Sequence, residues 1–169
     1  MLPDSKAVSA SQLAHEFFGI LDRGNSNLDR PRLSRHGVDE TRFREETFYL
    51  KAFAVYYATY VTLGESPKGS ALRTAFMGIW DQAARTSPEE MRSYNEFFRR
   101  IYLYAQAKAA ERSALAGQST DRISGQFANL LGAGKDPSLS ALYASYASDC
   151  FATTSKSVTG ILKENRFAS

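Results

Sequence analysis

The sequence predicts an all-α protein, a single-domain bundle of five to six helices around a central aromatic-rich helix at about residues 39–63. Apolar residues recur at spacings of three and four along most of the chain, which is the period of amphipathic helices. Runs of alternating apolar and polar residues are missing, as are the Asn-Gly and Asp-Gly pairs of tight hairpins. A chain of 169 residues is of ordinary size for one domain, so residues 1–169 are predicted to form a single helical unit.

Start signals define the first and third predicted helices. The first covers about 10–22, and the hydroxyl of Ser9 or Ser11 is expected to cap its amino end. The third begins after Ser66, a second capping serine, with Pro67 at the first helical position, where a missing N–H does no harm.

The last three helices are predicted from the remaining periodic segments. The fourth starts at Ser87, which forms a capping box with Glu90, and is expected to extend as far as Ala116. The fifth covers about 120–131 and the sixth about 136–163. The predicted apolar stripe of the fourth helix consists of Met91, Tyr94, Phe98, Ile101 and Ala105.

The second helix is unusual because apolar and aromatic side chains surround it. Its longest uncharged stretch, Ala52–Leu63, would span about 18 Å as a helix, well short of the roughly 30 Å of a bilayer core, so no membrane span is expected. A helix that is apolar on every side is typical of the buried centre of a bundle. The alternative is the wall of a pocket for a small apolar ligand, with Tyr57 and Glu46 as polar tips. Glu46 lies on the side expected to be buried, and its carboxylate is predicted to pair with an arginine.

An arginine-rich connection at about 24–38 precedes this helix and is longer than most links between packed helices. Its arginines and the two that follow in the helix are candidate binding residues for an acidic protein surface, a phosphate or a nucleic acid: Arg30, Arg32, Arg35, Arg42 and Arg44. The other interpretation is a solvated loop whose arginines pair with nearby acidic residues. A net charge of only +3 makes nucleic acid the least favoured partner.

The sequence contains no catalytic motif, and it gives no support for an enzyme, a metal or another cofactor. His15 and His36 both lack the glutamate three residues earlier that helical di-metal sites use. The segment LLGAGKDPS departs from a phosphate-binding loop in spacing and is predicted to be a helix end followed by a turn. Cys150 is the single cysteine, so no intramolecular disulfide can form.

The leading functional hypothesis is therefore a small soluble helical protein that acts through protein–protein contact, as an adaptor, a regulator or a homo-oligomer. The alternatives are a ligand-binding protein with an aromatic pocket beside helix 39–63, and weak binding of nucleic acid or phosphate through the arginine-rich connection. The amino-terminal residues lack the pattern of a secretory signal, so the cytoplasm is the expected location.

Overall fold

The computed structural model describes residues 8–23, 37, 39–113 and 121–164. In these ranges the chain forms six α-helices and one short 3-10 turn, with no β-strand, which confirms the predicted all-α bundle. The helices are α1 (Ala10–Asp22), α2 (Glu40–Leu63), α3 (Pro67–Ala84), α4 (Pro88–Ser113), α5 (Arg122–Leu130) and α6 (Pro137–Glu164). None of them combines the length and the apolar character needed to cross a membrane.

Short-range capping interactions decide where the helices begin. The Ser9 hydroxyl accepts a hydrogen bond from the Gln12 amide, and the Gln12 side chain accepts one from the Ser9 amide, so Ser9 and not Ser11 caps α1. The Asp39 carboxylate caps α2, which ends at Gly64 with a φ of 58°. That positive φ favours glycine, because a Cβ would be strained there.

The start of α3 and the turn before α6 also agree with the sequence-based predictions. The Ser66 hydroxyl accepts from the Gly69 amide at the start of α3. In the segment LLGAGKDPS, Gly132 adopts a left-handed φ of 80°, a 3-10 turn spans Ala133–Lys135, and the Asp136 carboxylate caps α6. The segment is thus a turn between two helices.

Helix α2 lies at the centre of the bundle and contacts each of the other five helices. One of its sides packs into a core shared mainly with α1 and α3, and the opposite side packs into a core shared mainly with α5 and α6. The first side includes Ala52, Val55 and Ala58, and the second includes Phe43, Leu50 and Phe53. Two cores on opposite sides explain why the helix is apolar all round.

The buried face of α4 differs from the predicted stripe. Phe97 is completely buried and stacks on Trp80 of α3 with ring centroids 4.0 Å apart, whereas the neighbouring Phe98 is 41 % exposed. Met91 and Ala105 of the predicted stripe are exposed as well. Tyr94 and Ile101 belong both to the predicted stripe and to the stripe that contains Phe97. The helical period alone therefore does not show which of the two stripes is buried. The large flat surface of Trp80 selects the stripe that contains Phe97.

Candidate functional site

A cleft of about 330 Å³ lies between α2 and α4. Its α2 wall is aromatic, and its α4 wall consists of two alanines and one lysine. The lining residues are Phe53, Tyr56, Tyr57, Tyr60, Ala105, Lys108 and Ala109.

The cleft exists because large side chains on one helix face small side chains on the other. Phe53, Tyr57 and Tyr60 are spaced by four and three residues, which puts them on the same side of α2. Ala105 and Ala109, four residues apart on α4, carry only a methyl group each. Their short side chains leave the space beside the rings unfilled.

A cation on α3 contacts Tyr60, one of the residues that line the cleft. The Arg73 guanidinium lies 5.5 Å from the centroid of the Tyr60 ring and donates a 2.8 Å hydrogen bond to the Gly64 carbonyl oxygen. Such cation–π contacts stabilise an aromatic ring in one orientation by about 0.5–1 kcal/mol at exposed sites. Arg73 therefore helps to fix the orientation of Tyr60, which is itself exposed.

Lys108 supplies the charge in the cleft lining. Its ammonium group lies 5.6 Å from the ring centroid of Tyr57 and 5.7 Å from that of Phe151, on α6. The same group pairs with the carboxylate of Glu111 at 2.5 Å. The second oxygen of Glu111 accepts hydrogen bonds from the amides of Arg122 and Ile123 at 2.8 and 3.1 Å. Lys108 and Glu111 therefore link the cleft to the amino end of α5.

Glu46 belongs to a buried hydrogen-bonded network that is separate from the cleft lining. Its side chain is only 3 % exposed, and its oxygens accept hydrogen bonds from the Tyr104 hydroxyl at 2.6 Å and the Arg100 Nε at 2.7 Å. The predicted arginine partner is thus Arg100, which also pairs with Glu96 at 2.8 Å. All four groups lie at the contact between α2 and α4.

Burial is the main cause of the raised pKa values of Glu46 and Tyr104. Desolvation raises the pKa of Glu46 above its ordinary value, although the hydrogen bond from Tyr104 and the charge of Arg100 oppose the change. Desolvation, followed by the adjacent Glu46 charge, also raises the pKa of Tyr104 well above its ordinary value. Both carboxylate oxygens are used by partners within the chain, which is the arrangement of a structural ion pair.

The candidate residues from the sequence are therefore separated in the fold. Tyr57 lines the cleft, whereas Glu46 does not line it and lies eleven positions earlier on the same helix, about 16 Å away along the axis. Arg42 donates to the Leu130 carbonyl oxygen at 2.6 Å and so fastens the end of α5 to α2, and Arg44 is exposed.

Three further candidates, Arg30, Arg32 and Arg35, lie outside the described residues, as does the connection at 24–38 apart from Gly37. Binding of nucleic acid or phosphate through these arginines remains a prediction.

Sequence reasoning missed Lys108 and Ala109, and it placed Ala105 in an apolar stripe and not in the wall of a cleft. A signal was present in the segment AQAKAA, where small residues and one lysine follow the aromatic part of α4. Recognising it required knowing that this part of α4 packs beside the tyrosines of α2. The pairing of Glu46 with both Tyr104 and Arg100, across more than fifty residues of sequence, was hidden for the same reason.

The remaining observations bear on the class of protein. Within the described ranges, no group of three or more His, Cys, Asp and Glu side chains is arranged to hold a metal ion. Comparisons with protein-family models, with curated proteins and with solved structures return no match. The cleft between α2 and α4 is therefore the feature of the described residues that points most directly to a function.

Proposed function

We propose that this protein is a non-catalytic binding protein that holds a small, flat, largely apolar molecule in the cleft between α2 and α4. One observation carries the proposal: four aromatic side chains on α2 face two alanines on α4 across a space of about 330 Å³. Ligand pockets are typically apolar and aromatic, have volumes of about 300–1,000 Å³ and carry few polar groups. Here Lys108 and the tyrosine hydroxyls are those polar groups.

The shape of the cleft indicates the shape of the ligand. Aromatic rings on one wall favour a flat molecule that stacks or packs edge-on against them. The two alanines allow the molecule to approach the α4 backbone closely. A volume near the lower end of the range favours one or two fused rings over a larger ligand.

A thermal-shift experiment with a neutral aromatic probe, 2-naphthamide, tests this proposal. At a ligand concentration ten times the Kd, binding stabilises the folded state by about 1.4 kcal/mol. For a chain of this size, that free energy corresponds to a rise in Tm of about 3–6 °C. Tyr57→Ala removes part of the aromatic wall and should abolish the rise.

Two controls make the result specific. Ala105→Leu fills the cleft while leaving every tyrosine in place, so it should also abolish the shift. This variant keeps the test valid if Tyr57→Ala destabilises the fold. Tyr102→Ala removes an exposed tyrosine of α4 that does not line the cleft, so it should leave the shift unchanged. A wild-type Tm that does not respond to saturating 2-naphthamide, or an unaltered shift in Ala105→Leu, contradicts the proposal.

A second candidate function, protein–protein contact, is supported by the outer face of α4. Met91, Phe98 and Tyr102 are exposed there, and Tyr102 is 63 % exposed. Their spacing of seven and four residues places them along one side of the helix. Tyr, Phe and Met are enriched at interfaces. Sedimentation of the purified protein tests self-association: a mass that rises with concentration, and that no longer rises in Tyr102→Ala, supports contact through this face. A strict monomer argues against self-association, and a strict monomer that also captures no partner in an affinity pulldown contradicts this candidate function.

A further inference from the structure

The cleft has one charged lining residue, and its surroundings indicate which ligands it favours. We infer that the cleft selects a flat apolar molecule that carries a carboxylate, and that Lys108 binds this carboxylate. The inference rests on the proposed function and adds to it the chemical class of the ligand.

The Lys108 ammonium group can donate more hydrogen bonds than the one that Glu111 accepts. An ammonium group has three donors, and Glu111 accepts from Lys108 through one oxygen at 2.5 Å. The side chain of Lys108 is 26 % exposed, and the residue lines the cleft, so the group is accessible to a ligand there. An ionised acceptor such as a carboxylate forms a hydrogen bond with an ammonium group that is about twice as strong as a neutral one.

Glu111 has partners other than Lys108 that compensate its charge. It accepts hydrogen bonds from the amides of Arg122 and Ile123, the first two residues of α5. The positive end of a helix dipole stabilises an anion at that place. Lys108 is therefore able to turn towards a ligand carboxylate without leaving Glu111 buried and uncompensated. The two amide hydrogen bonds also weaken the repulsion between Glu111 and an incoming anion. A second carboxylate near Lys108, that of Asp121, accepts hydrogen bonds from the amide and the hydroxyl of Ser124, which compensate its charge in part.

A cationic ligand is disfavoured by the same arrangement. The faces of Tyr57 and Phe151 already have the Lys108 ammonium 5.6 and 5.7 Å from their centroids. A second cation over these rings would be repelled by Lys108, since both are positive and partly shielded from water. An anionic ligand with its carboxylate at Lys108 is instead attracted by the ammonium group, and its rings can pack against the other aromatic lining residues, which include Tyr56 and Tyr60.

A matched pair of probes tests the inference. The affinities of 2-naphthoate and of the neutral 2-naphthamide are measured by titration calorimetry at pH 7 and low salt. The two molecules have the same rings, so the comparison isolates the carboxylate. We expect 2-naphthoate to bind about tenfold more tightly than 2-naphthamide, because one charge-assisted hydrogen bond contributes enough free energy for a ratio of that size. This preference should shrink at high salt, because Lys108 is partly exposed and its charge is screened.

Variants of Lys108 assign the preference to this residue. Lys108→Met keeps an unbranched apolar stem, so it should abolish the preference while changing the affinity for 2-naphthamide by less than about twofold. Lys108→Arg keeps the charge and should retain the preference. Lys156→Met, which removes an exposed lysine on α6 outside the cleft, should behave as the wild type.

The outcomes separate the two proposals. If 2-naphthamide binds in the cleft and 2-naphthoate binds no more tightly, the carboxylate inference is wrong and the proposed function stands. If the preference persists in Lys108→Met, the inference is wrong as well. If neither probe binds at millimolar concentration, the proposed function itself is wrong.

Discussion

Replacing Tyr104 by phenylalanine tests the role of the buried network between α2 and α4. The substitution removes one hydroxyl, which donates a 2.6 Å hydrogen bond to the Glu46 carboxylate, and leaves the buried ring in place. Hydrogen bonds to charged groups contribute about 1.5–3 kcal/mol, and Glu46 keeps its second bond, from Arg100. We therefore expect the free energy of unfolding to fall by about 2 kcal/mol at pH 7, which lowers the Tm by about 4–8 °C.

The loss of unfolding free energy in Tyr104→Phe should depend on pH. The pKa of Glu46 is raised in the folded state, so its contribution to stability is fully present below about pH 4.5 and is lost as the pH rises through the folded-state pKa. The Tyr104 hydrogen bond opposes this rise in pKa. Without it the pKa of Glu46 rises further, and the charged form costs more free energy. The difference between wild type and variant should therefore be larger at pH 7 than at pH 5.

Urea denaturation followed by circular dichroism between pH 5 and 8 measures this difference. Tyr102→Phe is a matched control on the same helix, because its exposed hydroxyl only accepts from the Gln106 side chain, and it should change stability by less than about 0.5 kcal/mol. In a Glu46→Gln background the effect of Tyr104→Phe should be clearly smaller, since the charged acceptor is gone. A loss below about 0.5 kcal/mol at pH 7, or a loss that grows in acid, would refute the reasoning.

Two further predictions concern helix packing. Phe97→Ala should lower the free energy of unfolding by about 3–5 kcal/mol because it empties a fully buried site, whereas Phe98→Ala should lower it by less than about 1 kcal/mol. Equal losses in urea denaturation would show that the assigned face of α4 is wrong. Gly69→Ala should lower the Tm, since the new Cβ would lie 2.7 Å from the Gly64 carbonyl oxygen. Gly78→Ala, in the same helix, places its Cβ more than 4 Å from any such atom and should stabilise the protein by about 0.5–1 kcal/mol, so it should have the higher Tm of the two variants.

The central position of α2 could be predicted, because a helix that is apolar on every side requires neighbours on every side. The partner of Glu46 could be predicted only by residue type. A buried carboxylate calls for an arginine, but which arginine depends on how α2 and α4 align. They run in the same direction, since Glu46 contacts Arg100 while Tyr57, farther along α2, contacts Lys108.

The sequence by itself determined that the chain is a bundle of five to six helices, their approximate ends and the central place of α2, because capping and the helical period act between residues a few positions apart. The tertiary structure alone decided which face of α4 is buried, since two stripes of equal periodicity were available and Trp80 packs against one of them. It also decided that a cleft exists. A cleft is space that side chains from two helices fail to fill, and it depends on Ala105 and Ala109 facing the tyrosines of α2.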